Sequence, residues 1–191
     1  MMTQEEAIEI FKSTNALLTG HFRLTSGRHS NQYMQCAQVL QYPHYASKLC
    51  AALAEHFATK KVDVVVGPAM GGITVAYEVA RALGVRAIFT EREQGTMTLR
   101  RGFAINKKEK VLVVEDVITT GGSVKEVIEV VKATGAEIVG VGVLVDRSNG
   151  QVDFGLPTEA MLRLDIKSFQ PEECPLCKEG IPVVKPGSRN I

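Results

Sequence analysis

The chain has 191 residues, a formal net charge of +1 at pH 7 and a hydrophobic content of 45%. This length suits one domain with a sizeable core, and the near-neutral charge excludes a broad electrostatic attraction to nucleic acids or membranes. No apolar run approaches the ~20 residues needed to span a bilayer. Because its four cysteines are too sparse for a disulfide scaffold, we expect a cytoplasmic protein.

The N-terminal part of the chain predicts a helix, short strands and a second helix. A capping-box pattern begins at Thr3, and the apolar positions after it reach Leu17 or Leu18, which suits a first helix. Residues 20–40 indicate short strands joined by turns. A second helix is predicted over residues 43–57, with a proline in its first turn.

From residue 62 onward the pattern alternates between strands, loops and helices. Strands are predicted at 62–66, 85–90, 111–114 and 138–145, and helices at 74–83 and 124–133. This βαβ alternation implies a parallel sheet with helices on both faces and ligands at the carboxyl ends of its strands. We therefore predict an α/β protein of one domain, 1–191. Its core is about 60–147, and residues 1–40 and about 160–191 flank that core.

The most informative stretch follows the predicted strand at 111–114. Two acids end the apolar run, and a helical pattern begins after the small residues that follow: Glu115, Asp116, Val117, Ile118, Thr119, Thr120, Gly121, Gly122 and Ser123. Glycine and hydroxyl residues before a helix leave backbone N–H groups free, and the helix dipole adds positive potential, so the loop suits a phosphate. No Gly-Lys-Ser or Gly-Lys-Thr follows, which disfavours a Walker-type nucleotide site.

The two acids narrow the ligand further. Since carboxylates repel phosphate, they face sugar hydroxyls or a metal ion on the same ligand, and a ribose 5-phosphate offers such hydroxyls. The alternative is a structural strand end with a helix-capping aspartate and a tight glycine turn.

This string, EDVITTGGS at 115–123, resembles the phosphoribosyl diphosphate (PRPP) loop of type I phosphoribosyltransferases, in the version found in their orotate-using branch. The resemblance covers about residues 20–147. It implies a central, mostly parallel sheet flanked by helices, with a hood formed by the N- and C-terminal segments. It also implies that Glu115 and Asp116 bind the ribose hydroxyls, with Asp116 catalytic, and that Thr119 to Ser123 wrap the 5-phosphate. Val117 and Ile118 are likewise assigned to PRPP binding.

A second glycine-rich segment, Gly67 to Gly72, lies between a predicted strand and a predicted helix. Taken alone it is equally consistent with a tight βα turn. Beside the first loop, it resembles the diphosphate loop of the family, which assigns diphosphate binding to Ala69, Met70, Gly71 and Gly72. Some relatives carry a lysine where Gly71 stands, so here main-chain donors would bind the diphosphate.

Residues 90–103 are polar and resemble the mobile loop that closes over PRPP, often onto the neighbouring subunit. The resemblance implies a catalytic role for Arg92, and Arg100 and Arg101 are the other cations of the segment. It also implies a homodimer that shares this loop. The alternative is a solvated hairpin whose charges form surface ion pairs of little energetic weight.

Arg147 follows the predicted strand at 138–145, at the same edge as the PRPP loop. A guanidinium suits a planar carboxylate such as orotate. By resemblance, Arg147 and Thr119 bind orotate, and the segment from Phe22 to Arg28 resembles a base-binding segment. Thr25 stands where relatives often have a lysine.

The implied reaction joins orotate N1 to ribose C1 of PRPP and releases diphosphate. Mg²⁺ would be bound mainly by PRPP oxygens, without direct protein ligands. The rival interpretations are a purine or uracil phosphoribosyltransferase and a PRPP-sensing regulator that binds DNA or RNA, although the charge argues against nucleic acid as a partner.

Cys174 and Cys177 have the spacing of metal ligands, but no second cysteine or histidine pair has a matching spacing. The sequence therefore favours cysteines without a metal, with a structural zinc site as the alternative, and no role follows for the four histidines. The tail at 185–189 is interpreted as a basic end without function.

Overall fold

The computed structural model describes residues 2–24 and 26–186. Its helices within this range are α1 (Gln4–Ser13), α2 (Ala37–Leu40), α3 (Pro43–Glu55), α4 (Gly71–Leu83), α5 (Gly122–Thr134) and α6 (Pro175–Lys178). Its strands are β1 (Leu17–Arg23), β2 (His29–Met34), β3 (Val64–Pro68), β4 (Arg86–Glu93), β5 (Thr96–Leu99), β6 (Lys110–Ile118), β7 (Glu137–Asp146), β8 (Thr158–Arg163) and β9 (Ser168–Phe169). No helix among these residues is long and apolar enough to cross a bilayer. Thr25 and residues 187–189, considered above, lie outside the described range.

Six strands form the central sheet in the order β5-β4-β3-β6-β7-β8. All neighbouring pairs are parallel except β4 with β5. Because α4 connects β3 to β4 and α5 connects β6 to β7, the connections are the predicted βαβ crossovers. The predicted type I fold class, a mostly parallel sheet flanked by helices, is confirmed.

Strand β6 shows how the sheet is buried on both faces. Leu112 and Val114 belong to one apolar cluster, which includes residues of α1, α3 and α4. Val111 and Val113 belong to the other, which includes the apolar face of α5. Because successive side chains of a strand point to opposite faces, the apolar run of β6 packs against helices on both sides.

Several predicted boundaries are wrong, and three of these errors change which element a residue belongs to. The first helix ends at Ser13, and Leu17 begins β1 instead. Helix α4 begins at Gly71 rather than Thr74, so two glycines of the predicted loop lie in its first turn. Strand β6 continues past the two acids to Ile118, because its pairing with β7 continues to that residue. The acids therefore lie on the strand and not after it.

The terminal segments form a second sheet of β1, β2 and β9, here called the hood sheet. Strand β2 pairs with both others in antiparallel fashion. Beyond β9 the chain returns, and Val184 pairs with Phe22 of β1. Arg28 also donates from Nε to the Ser168 hydroxyl over 2.9 Å. These bonds bring the N-terminal hairpin and the C-terminal segment together.

Candidate active site

A cleft of about 370 Å³ opens at the carboxyl end of β6. It is lined by residues 117–124 together with Arg92, Glu115 and Glu126. The predicted PRPP-loop residues therefore share one concavity, with the exception of Asp116, which lies at its side toward α4. The cleft lies where ligands bind in open parallel sheets.

The floor of the cleft is the N-terminus of α5. The first intrahelical bond there runs from the Lys125 N–H to the Gly121 carbonyl over 2.9 Å, and no side chain of the described residues caps the helix. The N–H groups of Gly122, Ser123 and Val124 are thus left for a ligand. Together with the helix dipole, these donors favour an anion of the size of a phosphate.

Gly121 is required for this geometry. Its φ of 71° is in the left-handed region, where a side chain is strained. A Cβ at this position would also lie 2.7 Å from Val152 Cγ1 and 2.9 Å from Phe154 Cε1. Both constraints explain why glycine precedes the helix.

The acid pair, Glu115 and Asp116, is held by the backbone around it. Glu115 Oε1 accepts the Asp116 N–H over 3.0 Å, and Asp116 Oδ1 accepts the Val117 N–H over 2.8 Å. Glu115 is only 7% exposed, and burial, followed by the Asp116 charge, raises the pKa of its carboxyl to about 9. Burial also raises the pKa of Asp116. One buried and one partly buried carboxyl, neither of which forms a salt bridge with another described residue, favour ligands that donate hydrogen bonds or carry positive charge.

The predicted diphosphate loop, residues 69–72, faces the acid pair. The Ala69–Met70 peptide bond is cis, and the Ala69 N–H donates to the Thr90 carbonyl over 2.7 Å. A Cβ on Gly71 would collide with the Asp116 carboxyl, so the absence of a side chain allows the loop and the acid to approach closely. The predicted diphosphate loop therefore meets the acid pair at Asp116, although residues 69–72 are not among those that line the cleft.

Within the segment at 90–103, the end of β4 and the whole of β5 form an antiparallel hairpin. Arg92 lines the cleft and pairs with Glu126 of α5 at 2.9 Å. Arg100 pairs with Glu93 at 3.2 Å, and Arg101 pairs with Glu91 at 3.1 Å. Of the three arginines, Arg92 alone is among the residues that line the cleft, while the other two lie in ion pairs on the hairpin itself.

Arg147 lies next to the PRPP loop. Its N–H donates to the carbonyl of Ile118 over 2.9 Å, so it is adjacent to Thr119, the other predicted orotate residue. Its buried Nε–H has no hydrogen-bond partner among the described residues. Burial lowers the pKa of Arg147 from its ordinary value, while Cys36 and Tyr33 raise it. A half-buried guanidinium with an unused donor is suited to an anionic or carbonyl-bearing ligand.

The hood sheet contributes to the surroundings of Arg147. Tyr33 of β2 lies near the guanidinium, and its ring is 5.9 Å from that of Phe22, centroid to centroid. Cys36, just beyond β2, has its Sγ 3.6 Å from the carbonyl oxygen of Asp116. The hood sheet thus reaches the edge of the central sheet at both the acid pair and Arg147.

Two histidines and two cysteines lie together, although their spacing in the sequence predicts no such cluster. His21, His29, Cys174 and Cys177 converge, with their ligand atoms within 4.8 Å of one another. No matching spacing is visible in the sequence, because the two histidines lie on one face of the β1–β2 hairpin and the cysteines come from the C-terminal segment. A signal was present in the Ser26-Gly27 dipeptide, since a turn there makes residues 21 and 29 diagonal neighbours across the hairpin.

Comparison with known proteins identifies the family of this chain. Residues 35–154 match the family described as "Phosphoribosyl transferase domain". The chain is 64% identical over 190 residues to the orotate phosphoribosyltransferases of Desulforamulus reducens and Pelotomaculum thermopropionicum, with 100% of each chain covered. It is also similar to the structure of the Mycobacterium tuberculosis H37Rv orotate phosphoribosyltransferase in complex with inorganic phosphate. That similarity has 25% identity and a TM-score of 0.70, and covers 84% of this chain and 95% of that one. The chain therefore belongs to the phosphoribosyltransferase family and, within it, to the orotate phosphoribosyltransferases.

Proposed function

We propose that this protein transfers the ribose 5-phosphate of PRPP to N1 of orotate, in pyrimidine nucleotide biosynthesis. The C1–oxygen bond to diphosphate breaks, the C1–N1 bond forms, and N1 loses its proton, giving orotidine 5-monophosphate and diphosphate. The observation that carries the choice of orotate is the unused, half-buried donor of Arg147 beside Thr119. The high identity to full-length orotate phosphoribosyltransferases supports the same choice.

The residues of the cleft supply positioning and charge stabilisation. The N–H groups at the start of α5 bind the 5-phosphate, and the acid pair accepts hydrogen bonds from the ribose hydroxyls. Burial disfavours the ionised form of the two carboxyls, and hydrogen bonds from the ribose hydroxyls would favour it. No side chain needs to act as a nucleophile, because the reaction is a direct displacement at an electron-poor carbon.

Diphosphate is bound at the loop of Ala69, Met70, Gly71 and Gly72, and Arg92 is a cation that lines the cleft. Gly71 lies against Asp116, and carboxylate and phosphate oxygens are the ligands that Mg²⁺ prefers. The ion would be held mainly by PRPP oxygens, beside Glu115 and Asp116. When bound, it supplies positive charge to the departing diphosphate.

The assembly we propose is a homodimer of cytoplasmic chains, each a single domain with the hood sheet over the base end of its site. The hairpin at 90–103 would extend from one subunit toward the site of the other. Light scattering on the purified protein tests the dimer. The four cysteines, none of which is in a disulfide, are consistent with a reducing compartment.

The test of the reaction is the loss of orotate absorbance in the ultraviolet with PRPP and Mg²⁺, against adenine, hypoxanthine and uracil. Arg147→Ala should raise the KM for orotate about 10- to 100-fold, the range expected when a charged hydrogen bond of about 1.5–3 kcal/mol is lost. The KM for PRPP should change little. Arg163→Ala, an exposed arginine at the end of β8, is the matched control.

Turnover of a purine or of uracil in place of orotate would contradict the proposal. An equal rise of both KM values in Arg147→Ala would remove Arg147 from the base pocket.

A further inference from the structure

The Cys-His cluster of His21, His29, Cys174 and Cys177 lies in the hood sheet, away from the cleft of the PRPP loop. We propose that it is a structural zinc site that fastens the C-terminal segment to the N-terminal hairpin. Two thiolates and two imidazoles form a ligand set that prefers tetrahedral Zn²⁺ over the hard cations, which choose oxygen. Four protein ligands also leave no open position, which is typical of a structural rather than a catalytic zinc.

The distances fit one tetrahedral ion. Zn–S bonds of about 2.3 Å and Zn–N bonds of about 2.0 Å place tetrahedral S and N ligands about 3.5 Å apart. The Cys174 Sγ is 3.5 Å and the Cys177 Sγ 3.7 Å from His21 Nε2, and the Cys177 Sγ is 3.2 Å from His29 Nδ1. The two ring nitrogens are 2.9 Å apart, slightly closer than tetrahedral ligands.

A second set of contacts orients the ligands. His21 Nδ1–H donates to the carbonyl of Ile181 over 2.7 Å, because a carbonyl oxygen can only accept. That bond places the lone pair on Nε2, the nitrogen that faces the cluster. A backbone carbonyl that accepts the outer N–H of a ligand histidine is a common feature of zinc sites, where it fixes the ring and its tautomer.

The burial of the C-terminal segment gives an independent reason for a metal. Cys174 is fully buried, but Ile181, Val183 and Val184 are 41%, 45% and 55% exposed. The segment therefore has little apolar anchorage of its own, and within the described part of it only Val184 forms backbone bonds to β1. Small substructures of this kind are commonly held by a metal or a disulfide.

The position of the cluster links it to the base end of the active site. His29 begins β2, and Tyr33, four residues further along the same strand, lies near Arg147. Loss of the metal should loosen β2 at its first residue and raise the KM for orotate more than that for PRPP. This consequence rests on the proposed function, whereas the metal content does not.

The test begins with tag-free protein purified under reducing conditions and analysed for metal by mass spectrometry. We expect one zinc ion per chain. Cys177→Ser, at an exposed position, should reduce bound zinc by roughly tenfold or more, because one thiolate ligand is lost. The matched controls are Cys50→Ser, a cysteine outside the cluster, and His44→Asn, an exposed histidine, and both should retain the zinc.

Substitution with Co²⁺ gives a reading that does not depend on how the variants fold. The wild type should show intense visible bands of tetrahedral cobalt together with a thiolate charge-transfer band in the near ultraviolet, and Cys177→Ser should weaken that band. Metal-free protein that also fails to bind Co²⁺ would overturn the proposal. So would a Cys174–Cys177 disulfide in freshly reduced protein, or equal zinc loss in Cys50→Ser.

Discussion

The two ends of the candidate site are built in different ways. The ribose-phosphate end is continuous in sequence, because the acids, the phosphate loop and the start of α5 all lie between Glu115 and Val124. The base end is assembled from distant parts of the chain, with Arg147 from the end of β7 and Tyr33 from the hood sheet. The hood sheet in turn depends on the C-terminal segment.

The ribose-phosphate end is thus stabilised by local interactions, and the base end by long-range interactions. The phosphate cradle needs only the end of a strand, a glycine with positive φ and the first turn of a helix, which neighbouring residues can form by themselves. The base pocket needs the correct docking of a second sheet onto the first. We therefore expect substitutions at the first end to change PRPP binding directly, and disturbances of the hood sheet to change orotate binding.

The largest expected effect comes from Asp116→Asn. It should lower kcat/KM for PRPP by about 10- to 100-fold, because a charged hydrogen bond to the ribose of about 1.5–3 kcal/mol is weakened. Steady-state kinetics and thermal unfolding, measured together, separate binding from folding. Asp153→Asn, an exposed aspartate whose carboxyl also accepts a backbone N–H, is the control. Unchanged kinetics in Asp116→Asn would mean that the acid pair does not bind the sugar.

Gly121→Ala should have the next largest effect, on both the stability of the protein and its affinity for PRPP. The positive φ costs about 1–2 kcal/mol for a residue with a side chain, and the contacts with Val152 and Phe154 add to that cost. Gly84→Ala has the same type of φ, at 70°, but open space around its Cβ, so it isolates the cost of the backbone alone. Denaturant unfolding measures the loss of stability, and calorimetric titration measures the affinity for PRPP. If Gly121→Ala binds PRPP normally, the phosphate is not held at the start of α5.

The last prediction, with the smallest expected effect on the reaction itself, concerns the pH dependence of stability. The pKa of Glu115 is raised from 4.5 to about 9, so the folded state holds a proton that the unfolded state has lost between these values. Its contribution to stability is therefore complete below about pH 4.5 and decreases as the pH rises toward 9, by at most about 1.4 kcal/mol per pH unit. Glu115→Gln should flatten this decline while weakening PRPP binding.

Chemical denaturation of the ligand-free protein from pH 5 to pH 9 measures this slope. Glu159→Gln, at the start of the edge strand β8, serves as a carboxyl control. A steeper decline in Glu115→Gln than in the wild type would show that the carboxyl is stabilised in its ionised form.

The ribose-phosphate end could be predicted in detail because its signals are local. Glu115 to Ser123 and the apolar run before them identify a strand, a phosphate loop and a helix without reference to the rest of the chain. The errors there concern boundaries only: β6 continues through the acids, since the length of a strand is set by its pairing with β7. The ion pair of Arg92 with Glu126 was likewise not predictable, as it joins a hairpin to a helix.

The sequence by itself determined the α/β class, the phosphate loop and the residue types of the site, because periodicity and backbone chemistry act over a few neighbouring residues. Only the tertiary structure decided that the Gly71 backbone touches Asp116, that the buried Nε–H of Arg147 lacks a partner among the described residues, and that His21 and His29 meet Cys174 and Cys177. Those contacts join residues far apart in the chain, and their distances follow from the packing of two sheets rather than from any spacing in the sequence.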